Sequence, residues 1–343
     1  MKKTTSKKVL NKAIFCVFLI ATTGCGGFNY SDKNQPTVVE KKSQPKITQE
    51  YFLETPKGLK PSNPDHGSTI NDLKFLQAFR KHLVSPEEYN YLNIKKLIHD
   101  ELIAGHKDSA NSLAAYGLSG RESLIAYTVL RVNGSIPVYE IRRNIPPDFK
   151  ELITGTSGNC SDHSLRLMLA LETIGVKSAL ISNVTKNIGG HVFVDAYDPI
   201  DNKFYILDPT FNLIIIGDSN TQKSLVAEII DTGDNTKKKI LAQNLRIIAF
   251  PTIVRFVDPG YTAFRSNTLT PDFINETRSK RDRMWRKWAL EDGKELRSWW
   301  ERTPGHRPQS AGGFAHSNGI KLPNNFDSSD EYALTLMRSS GFN

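Results

Sequence analysis

The spacing of hydrophobic residues predicts helices in the first part of the chain. Between residues 69 and 132, apolar side chains recur every three or four positions, which is the period of one helix face. Ser85, followed by a proline and two glutamates, is typical of a helix start. A further helix is predicted over Ser119–Arg131, ahead of a turn at Asn133-Gly134.

A second pattern, between residues 155 and 208, predicts one helix followed by three strands. A loop of small and polar residues ends at Cys160, and leucine and methionine then keep helical spacing as far as Gly175. Three strand-like runs follow: Lys177–Ser182, His191–Tyr197 and Lys203–Leu207. The segment between the last two runs, 198–202, is typical of a hairpin turn. The pattern therefore predicts an α+β fold.

The C-terminal third combines strand-like stretches with a charged, tryptophan-rich segment. Residues 211–216 and 240–257 are apolar and rich in β-branched side chains. The segment 275–302 holds all four tryptophans at spacings that fit a helix: Trp285, Trp288, Trp299 and Trp300. Docking on an anionic membrane surface is one interpretation. Acidic residues dilute the basic charge, which favours a helix that packs its tryptophans onto the domain.

Composition is that of an ordinary globular protein and argues against a nucleic-acid partner. The 343 residues are 38% hydrophobic and 24% charged, which excludes collagen-like and wholly disordered chains. The net charge is +9, but five lysines and no acid lie in the first 24 residues, so a chain cut there carries +4. The histidines lack ligand-like spacing, so neither a metal nor another cofactor is predicted.

The first 25 residues predict export and a lipid anchor. A basic start precedes a nine-residue apolar run, Ala13–Ala21, which is too short to span a membrane and typical of a secretory signal. The sequence Ala-Thr-Thr-Gly-Cys at 21–25 resembles a bacterial lipoprotein signal. This resemblance implies that Cys25 is acylated, for example with palmitate, and holds the protein at the cell or outer membrane, facing periplasm or exterior. A plain signal with an incidental Cys25 is the alternative.

Three residues offer the parts of a nucleophilic site. Cys16 leaves with the signal and Cys25 is capped, so Cys160 is the one free thiol of the mature chain. The N–H groups and dipole of a helix N-terminus favour its thiolate. His191 opens one strand of the predicted hairpin and Asp208 closes the other, so both lie at the same end. Nucleophile, base and orienting carboxylate are then neighbours. A buried, inert Cys160 is the alternative.

Residues 117–215 resemble the transglutaminase-like superfamily, which has a papain-type fold. The matching residues are Gly158-Asn159-Cys160 before an apolar helix, Gly190-His191-Val192-Phe193-Val194, and Tyr205-Ile206-Leu207-Asp208-Pro209-Thr210. The resemblance implies that Cys160 attacks an amide carbonyl, that His191 shuttles the proton and that Asp208 holds His191. It also implies an oxyanion hole formed by the Cys160 N–H and an upstream donor, for which Tyr116 and Tyr127 are candidates. Phe193 departs from the family, in which tryptophan is common at that position.

These features together predict an order of segments and a fold. The segments are a lipoprotein signal (1–24), a flexible tether (25–50), a helical extension (51–116), a transglutaminase-like domain (117–260), a charged tryptophan-rich helical segment (261–303) and a loose tail (304–343). The fold class is α+β, with a transglutaminase-like or papain-like core. In that core the catalytic cysteine lies at a helix N-terminus packed on an antiparallel sheet.

The predicted function is that of a membrane-anchored cysteine enzyme of the cell envelope. We expect it to hydrolyse or transfer amide-linked acyl groups of a peptide or protein through a thioester on Cys160. A peptidase or amidase is favoured over a crosslinking enzyme because water is abundant. The alternative is a non-catalytic envelope scaffold that binds peptide or glycan with the same fold.

Overall fold

A computed structural model defines the fold of the protein. It describes residues 91–136, 138–139, 149–217, 223–250, 255–256, 271–320 and 331–342. The predicted signal, Cys25, the tether and the helix start at Ser85 lie outside the described residues. Within the described ranges, no helix has both the length and the apolar character needed to cross a membrane.

The protein has the α+β architecture that the sequence predicts. The helices are α1 (Tyr91–Ala114), α2 (Gly120–Ser135), α3 (Phe149–Thr154), α4 (Cys160–Thr173), α5 (Leu225–Asp231), α6 (Asn235–Asn244), α7 (Pro271–Glu291), α8 (Gly293–Arg302), α9 (Ala311–Ser317) and α10 (Glu331–Ser339). The strands are β1 (Val138–Tyr139), β2 (Ser157–Gly158), β3 (Lys177–Thr185), β4 (Gly189–Asp198), β5 (Lys203–Asp208), β6 (Leu213–Ile216), β7 (Arg246–Ala249) and β8 (Arg255–Phe256).

The centre of the molecule is a five-stranded antiparallel sheet with helices on both faces. Its strands follow chain order, from β3 to β7, and a small parallel sheet of order β2-β1-β8 lies beside it. Alternate residues of each strand point to opposite faces, so Val194 packs in the core under α1, α2 and α4. Its neighbour Phe193 packs in the core formed with α5, α7, α8 and α10. Because both faces are covered, polar side chains of the central strands are buried too.

The elements around the predicted hairpin form as expected. Gly175 ends α4 with φ +76°, a conformation that glycine adopts without strain. The turn at 198–202 joins β4 to β5, and Asn202 adopts φ +51° there.

Two predicted boundaries are wrong because tertiary contacts override the local pattern. The turn predicted at Asn133-Gly134 does not form there, and α2 continues to Ser135. The Asn133 side chain donates hydrogen bonds to the carbonyls of Pro209 and Thr210, at 2.8 and 3.3 Å, instead of capping a local turn. In the stretch 240–257, residues up to Asn244 belong to helix α6, and strand β7 begins only at Arg246.

The tryptophan-rich segment is helical, and it packs its tryptophans onto the domain. Trp285, Trp288 and Trp300 are completely buried in α7 and α8. The indole of Trp288 donates to Asn183 Oδ1, and that of Trp300 donates to the Ser182 carbonyl, both at 3.0 Å. Of the two interpretations, packing onto the domain is therefore the one that the structure supports.

The prediction of a loose tail over 304–343 is wrong for its described parts. A 3-10 turn spans Pro304–His306, and α9 and α10 follow. Gln309 exchanges two backbone hydrogen bonds with Leu180 and so closes the free edge of β3. Phe314 on α9 and Leu336 on α10 are buried in the two cores. A few apolar side chains at helical spacing are enough to fix a segment whose average composition is polar.

Candidate active site

Cys160 is the first residue of α4, as the sequence predicts. Asn159 is the N-cap residue, and its Oδ1 accepts hydrogen bonds from Ser161 N at 2.8 Å and Asp162 N at 3.2 Å. Asp162 Oδ2 in turn accepts from Asn159 N at 2.8 Å, which completes a capping box. The residues on both sides of Cys160 are thus fixed, and Cys160 has a defined position at the helix start.

The chain enters this helix through a constrained glycine. Gly158 lies in β2, opposite Tyr139 of β1. A Cβ atom at Gly158 would lie 2.7 Å from Asp162 Cβ and 2.7 Å from its Oδ2, closer than real Cβ atoms approach other atoms. Glycine is therefore required at this position because the Asp162 side chain folds back over it.

The pairing of β4 with β5 brings His191 to Asp208. Val194 is paired with Leu207, so the next step of the register sets Asp208 opposite Phe193. His191 is then the diagonal neighbour of Asp208 on the same face of the sheet. His191 Nε2 donates to Asp208 Oδ2 at 2.9 Å.

The Cys160 side chain completes the group, because it lies near enough to the same imidazole for its hydrogen bonding and charge to raise the pKa of His191. Because Asp208 occupies Nε2, the nitrogen left for Cys160 is Nδ1. The three residue types predicted from the sequence are thus in contact in the order thiol, imidazole, carboxylate.

The turn after β5 holds Asp208 in place. Its second oxygen, Oδ1, accepts hydrogen bonds from Thr210 N and Phe211 N, both at 3.1 Å. One carboxylate oxygen is therefore committed to the backbone and the other to His191. This division of the two oxygens fixes the orientation of the Asp208 carboxylate, which in turn holds Nε2 of His191.

The triad lies in a dry environment. Cys160 and His191 are each 4% exposed and Asp208 is completely buried. The Phe211 ring lies 5.0 Å from the His191 ring, and the Phe193 ring lies 6.3 Å from it. Phe193 contacts the rings of Trp285 and Trp288, so the residue that departs from the family pattern links the triad to the tryptophan core.

This environment favours the charged form of His191. Burial alone would lower the pKa of His191, but the negative charge of Asp208 and the hydrogen bonds with Asp208 and Cys160 raise it to about 10. His191 is therefore an imidazolium at neutral pH. An imidazolium beside the thiol is the arrangement that stabilises a thiolate.

His163, one turn after Cys160, has a structural role that the sequence pattern did not reveal. Its Nδ1 lies 2.9 Å from the Asn159 carbonyl and its Nε2 lies 3.1 Å from the Ile136 carbonyl. Burial lowers the pKa of His163 to about 4, so its ring is neutral at physiological pH. With its single N–H, the neutral ring donates to one of these two carbonyls, and it packs between the start of α4 and the end of α2. The i, i+3 spacing from Cys160 was the available signal.

The two tyrosines considered as upstream donors belong to the helical layer. The Tyr116 ring packs 4.8 Å from the Phe250 ring, and the Tyr127 ring lies 6.1 Å from the His106 ring. Upstream of Cys160, Tyr139 is paired with Gly158 and is stacked on His163, with 6.4 Å between the two ring centroids. Its short parallel strand gave no recognisable sequence signal.

Comparisons with known proteins give no family for this chain. No family model matches it, and searches of curated proteins and of solved structures also found no match. In the part of the chain that the structure describes, no group of three or more His, Cys, Asp or Glu residues could hold a metal ion. The functional argument therefore depends on the geometry of Cys160, His191 and Asp208.

Proposed function

We propose that this protein is a cysteine enzyme with a transglutaminase-like, papain-like core that hydrolyses or transfers amide-linked acyl groups. The observation that carries the proposal is the contact of Cys160 and Asp208 with the two sides of the His191 imidazole. The position of the thiol at a helix N-terminus, held by a capping box, supports it further. Inert buried cysteines have no need of a buried imidazole and a buried carboxylate in series.

The reaction follows from these contacts. The Cys160 thiolate forms a bond to the amide carbonyl carbon, and the carbonyl electron pair moves onto oxygen. When the C–N bond breaks, the imidazolium of His191 gives its proton to the leaving amine, and a thioester remains on Cys160. Water or another amine then attacks the thioester while His191 accepts its proton, which releases the acyl product and restores the Cys160 thiolate and the His191 imidazolium. Asp208 keeps the imidazole oriented throughout.

We propose a peptide or protein amide of the cell envelope as the substrate, with water favoured as the acceptor. The support for this location is the sequence pattern of residues 13–25, in which Cys25 would carry the lipid. Hydrolysis is favoured over crosslinking because water needs no binding pocket of its own, whereas an amine acceptor does.

The second candidate is a non-catalytic envelope scaffold. The burial of Cys160, His191 and Asp208 is the observation that favours it, because side chains so little exposed are also found in binding domains that use a catalytic fold. The two candidates differ in the reactivity that they predict for Cys160.

The rate of Cys160 alkylation by iodoacetamide, measured against pH, tests the proposal. We expect the thiol of the full chain to react well below about pH 7 and His191→Ala to move this reactivity toward the ordinary thiol pKa, near 8.5. The Cys160 peptide is quantified by mass spectrometry, so that Cys16 and Cys25 do not contribute. A thiol that titrates near 8.5 in both proteins would contradict the enzyme and favour the scaffold.

A further inference from the structure

The side-chain amide of Asn159 is held in one orientation. Its Oδ1 accepts from the backbone N–H groups of Ser161 and Asp162. Because these groups only donate, the oxygen of the amide and not its nitrogen must face them. The Asn159 backbone N–H is also fixed, since it donates to Asp162. The cap therefore determines where the Nδ2 group points as well.

Nδ2 is the part of this amide that the cap does not use. It carries two N–H bonds, and no described residue supplies an acceptor for them. Asn159 is half-buried, whereas the neighbouring Cys160 is buried. Asn159 Nδ2 is therefore a fixed donor directly before Cys160. Its two N–H bonds are available to a substrate, and its side chain is only half-buried.

We propose that Asn159 Nδ2 is the second donor of the oxyanion hole, beside the backbone N–H of Cys160. This inference rests on the proposed acyl-transfer function. Oδ1 lies 2.8 Å from Ser161 N and 3.2 Å from Asp162 N, and Nδ2 is bonded to the same carbon as Oδ1. The Nδ2 group is therefore at the N-terminal end of α4, the end toward which the backbone N–H groups of the first turn are directed.

The role of this donor is electrostatic. As the Cys160 sulfur bonds to the carbonyl carbon, the oxygen becomes negative, and Asn159 Nδ2 and Cys160 N each donate a hydrogen bond to it. No proton is transferred by the amide. Because the capping box fixes the amide before substrate arrives, its dipole needs no reorganisation during the reaction, the condition under which such donors are most effective.

Two substitutions separate this role from helix capping. Serine and aspartate cap helices about as well as asparagine. Both Asn159→Ser and Asn159→Asp therefore keep the cap. Asn159→Asp provides no donor, and Asn159→Ser replaces the amide N–H groups with one hydroxyl on a shorter side chain. If Asn159 acted only as a cap, both variants would retain acyl-transfer activity.

The test compares two reactions of the same thiol in the full chain. Alkylation by iodoacetamide passes through no oxyanion, whereas acylation by p-nitrophenyl acetate does. We expect Asn159→Ser to be alkylated at a rate within about twofold of the wild type, but to release p-nitrophenolate about 100-fold more slowly. Cys160→Ala supplies the background rate. Asn159→Asp is expected to show the same selective loss of acylation after correction for its altered thiolate fraction.

Asp234→Ala is the matched control for the loss of a helix cap. Asp234 caps the exposed start of α6, accepting from Thr236 N at 2.8 Å, so its loss weakens a cap without affecting acylation. Unchanged acylation in Asn159→Ser, or an equal loss of both reactions, would overturn the inference. A wild-type protein that is alkylated but never acylated would overturn the proposed function itself.

Discussion

Two buried aspartates on the same sheet, Asp208 and Asp195, have opposite electrostatic surroundings. Both are completely buried. Asp208 lies beside the cationic ring of His191. Asp195, on β4, accepts from neutral hydroxyls, at 2.6 Å from Ser224 and 2.5 Å from Tyr332.

The difference shows that the partner, and not the depth of burial, decides what a buried carboxylate does. Burial raises the pKa of Asp195 to about 6, although the hydrogen bonds from Ser224 and Tyr332 partly oppose this rise. Asp195 therefore carries its charge at a cost to stability and serves to hold α10, through Tyr332, on the sheet. Asp208 instead has the cationic ring of His191 beside it to balance its charge.

Removing the carboxylate of Asp208 is expected to have the largest effect. Asp208→Asn should lower the rate of acyl transfer by about 10⁴-fold, because the imidazole loses its orienting acceptor and its charge partner. Cys160→Ala should lower the rate more, by about 10⁶-fold relative to the wild type, because the proposed nucleophile is gone. Steady-state rates of p-nitrophenolate release check both values. An Asp208→Asn loss as large as that of Cys160→Ala would show that Asp208 does more than orient His191.

The second largest effect is expected in the pH dependence of the free energy of unfolding, to which Asp195 contributes. The pKa of Asp195 is raised above its ordinary value of 3.8, so the folded protein is most stable when Asp195 is protonated. Its contribution should fall by about 3 kcal/mol as the pH rises from 4 through 6. Urea unfolding of the wild type and Asp195→Asn, compared across this range, measures the difference. The wild type should lose stability relative to Asp195→Asn as the pH rises; a wild type that instead gains stability relative to the variant over this range would contradict the sign.

His191 should affect the free energy of unfolding at the opposite, alkaline end of the pH range. Its pKa is raised above 6.5, so its contribution to stability is complete below pH 6.5 and is lost as the pH rises through about 10. The Asp195 effect therefore appears in the acid range and the His191 effect in the alkaline range, and the two do not overlap.

The smallest expected effect is that of a single hydroxyl group. Tyr332→Phe removes one donor from Asp195 and should lower the free energy of unfolding by about 1.5 kcal/mol at neutral pH, as is usual for a hydrogen bond to a charged group. Because that donor lowers the pKa of Asp195, its loss should also shift the pH-dependent window upward. Acylation by p-nitrophenyl acetate should stay within twofold of the wild type. A variant with normal stability would show that Tyr332 does not hold α10.

The triad was predictable because each of its members lies in a local pattern. The first pattern is a cysteine before an apolar helix. The second is a hairpin with a histidine at the start of one strand and an aspartate at the end of the other. Both lie within 49 consecutive residues, 160–208. Pairing geometry then brings the ends together. No longer-range information is needed.

The surroundings of the triad were not predictable, because they depend on contacts between distant residues. Asp195 sits in an alternating strand pattern that does not reveal whether its face is covered, and its partner Tyr332 is 137 positions away. Gly158 resembles any loop glycine until the Asp162 side chain is known to fold over it. The length of α2 depends on Asn133 contacting a turn some 76 residues later.

The core that contains Phe193 and the buried tryptophans can be completed only late in synthesis. All three triad residues have been made once residue 208 leaves the ribosome, but Phe193 on the far face is covered by Trp285 and Trp288, and α10 follows only at residues 331–339. Contacts of such long sequence separation form late in folding. A growing chain therefore holds Cys160, His191 and Asp208 on a half-covered sheet until its C-terminal helices have been made.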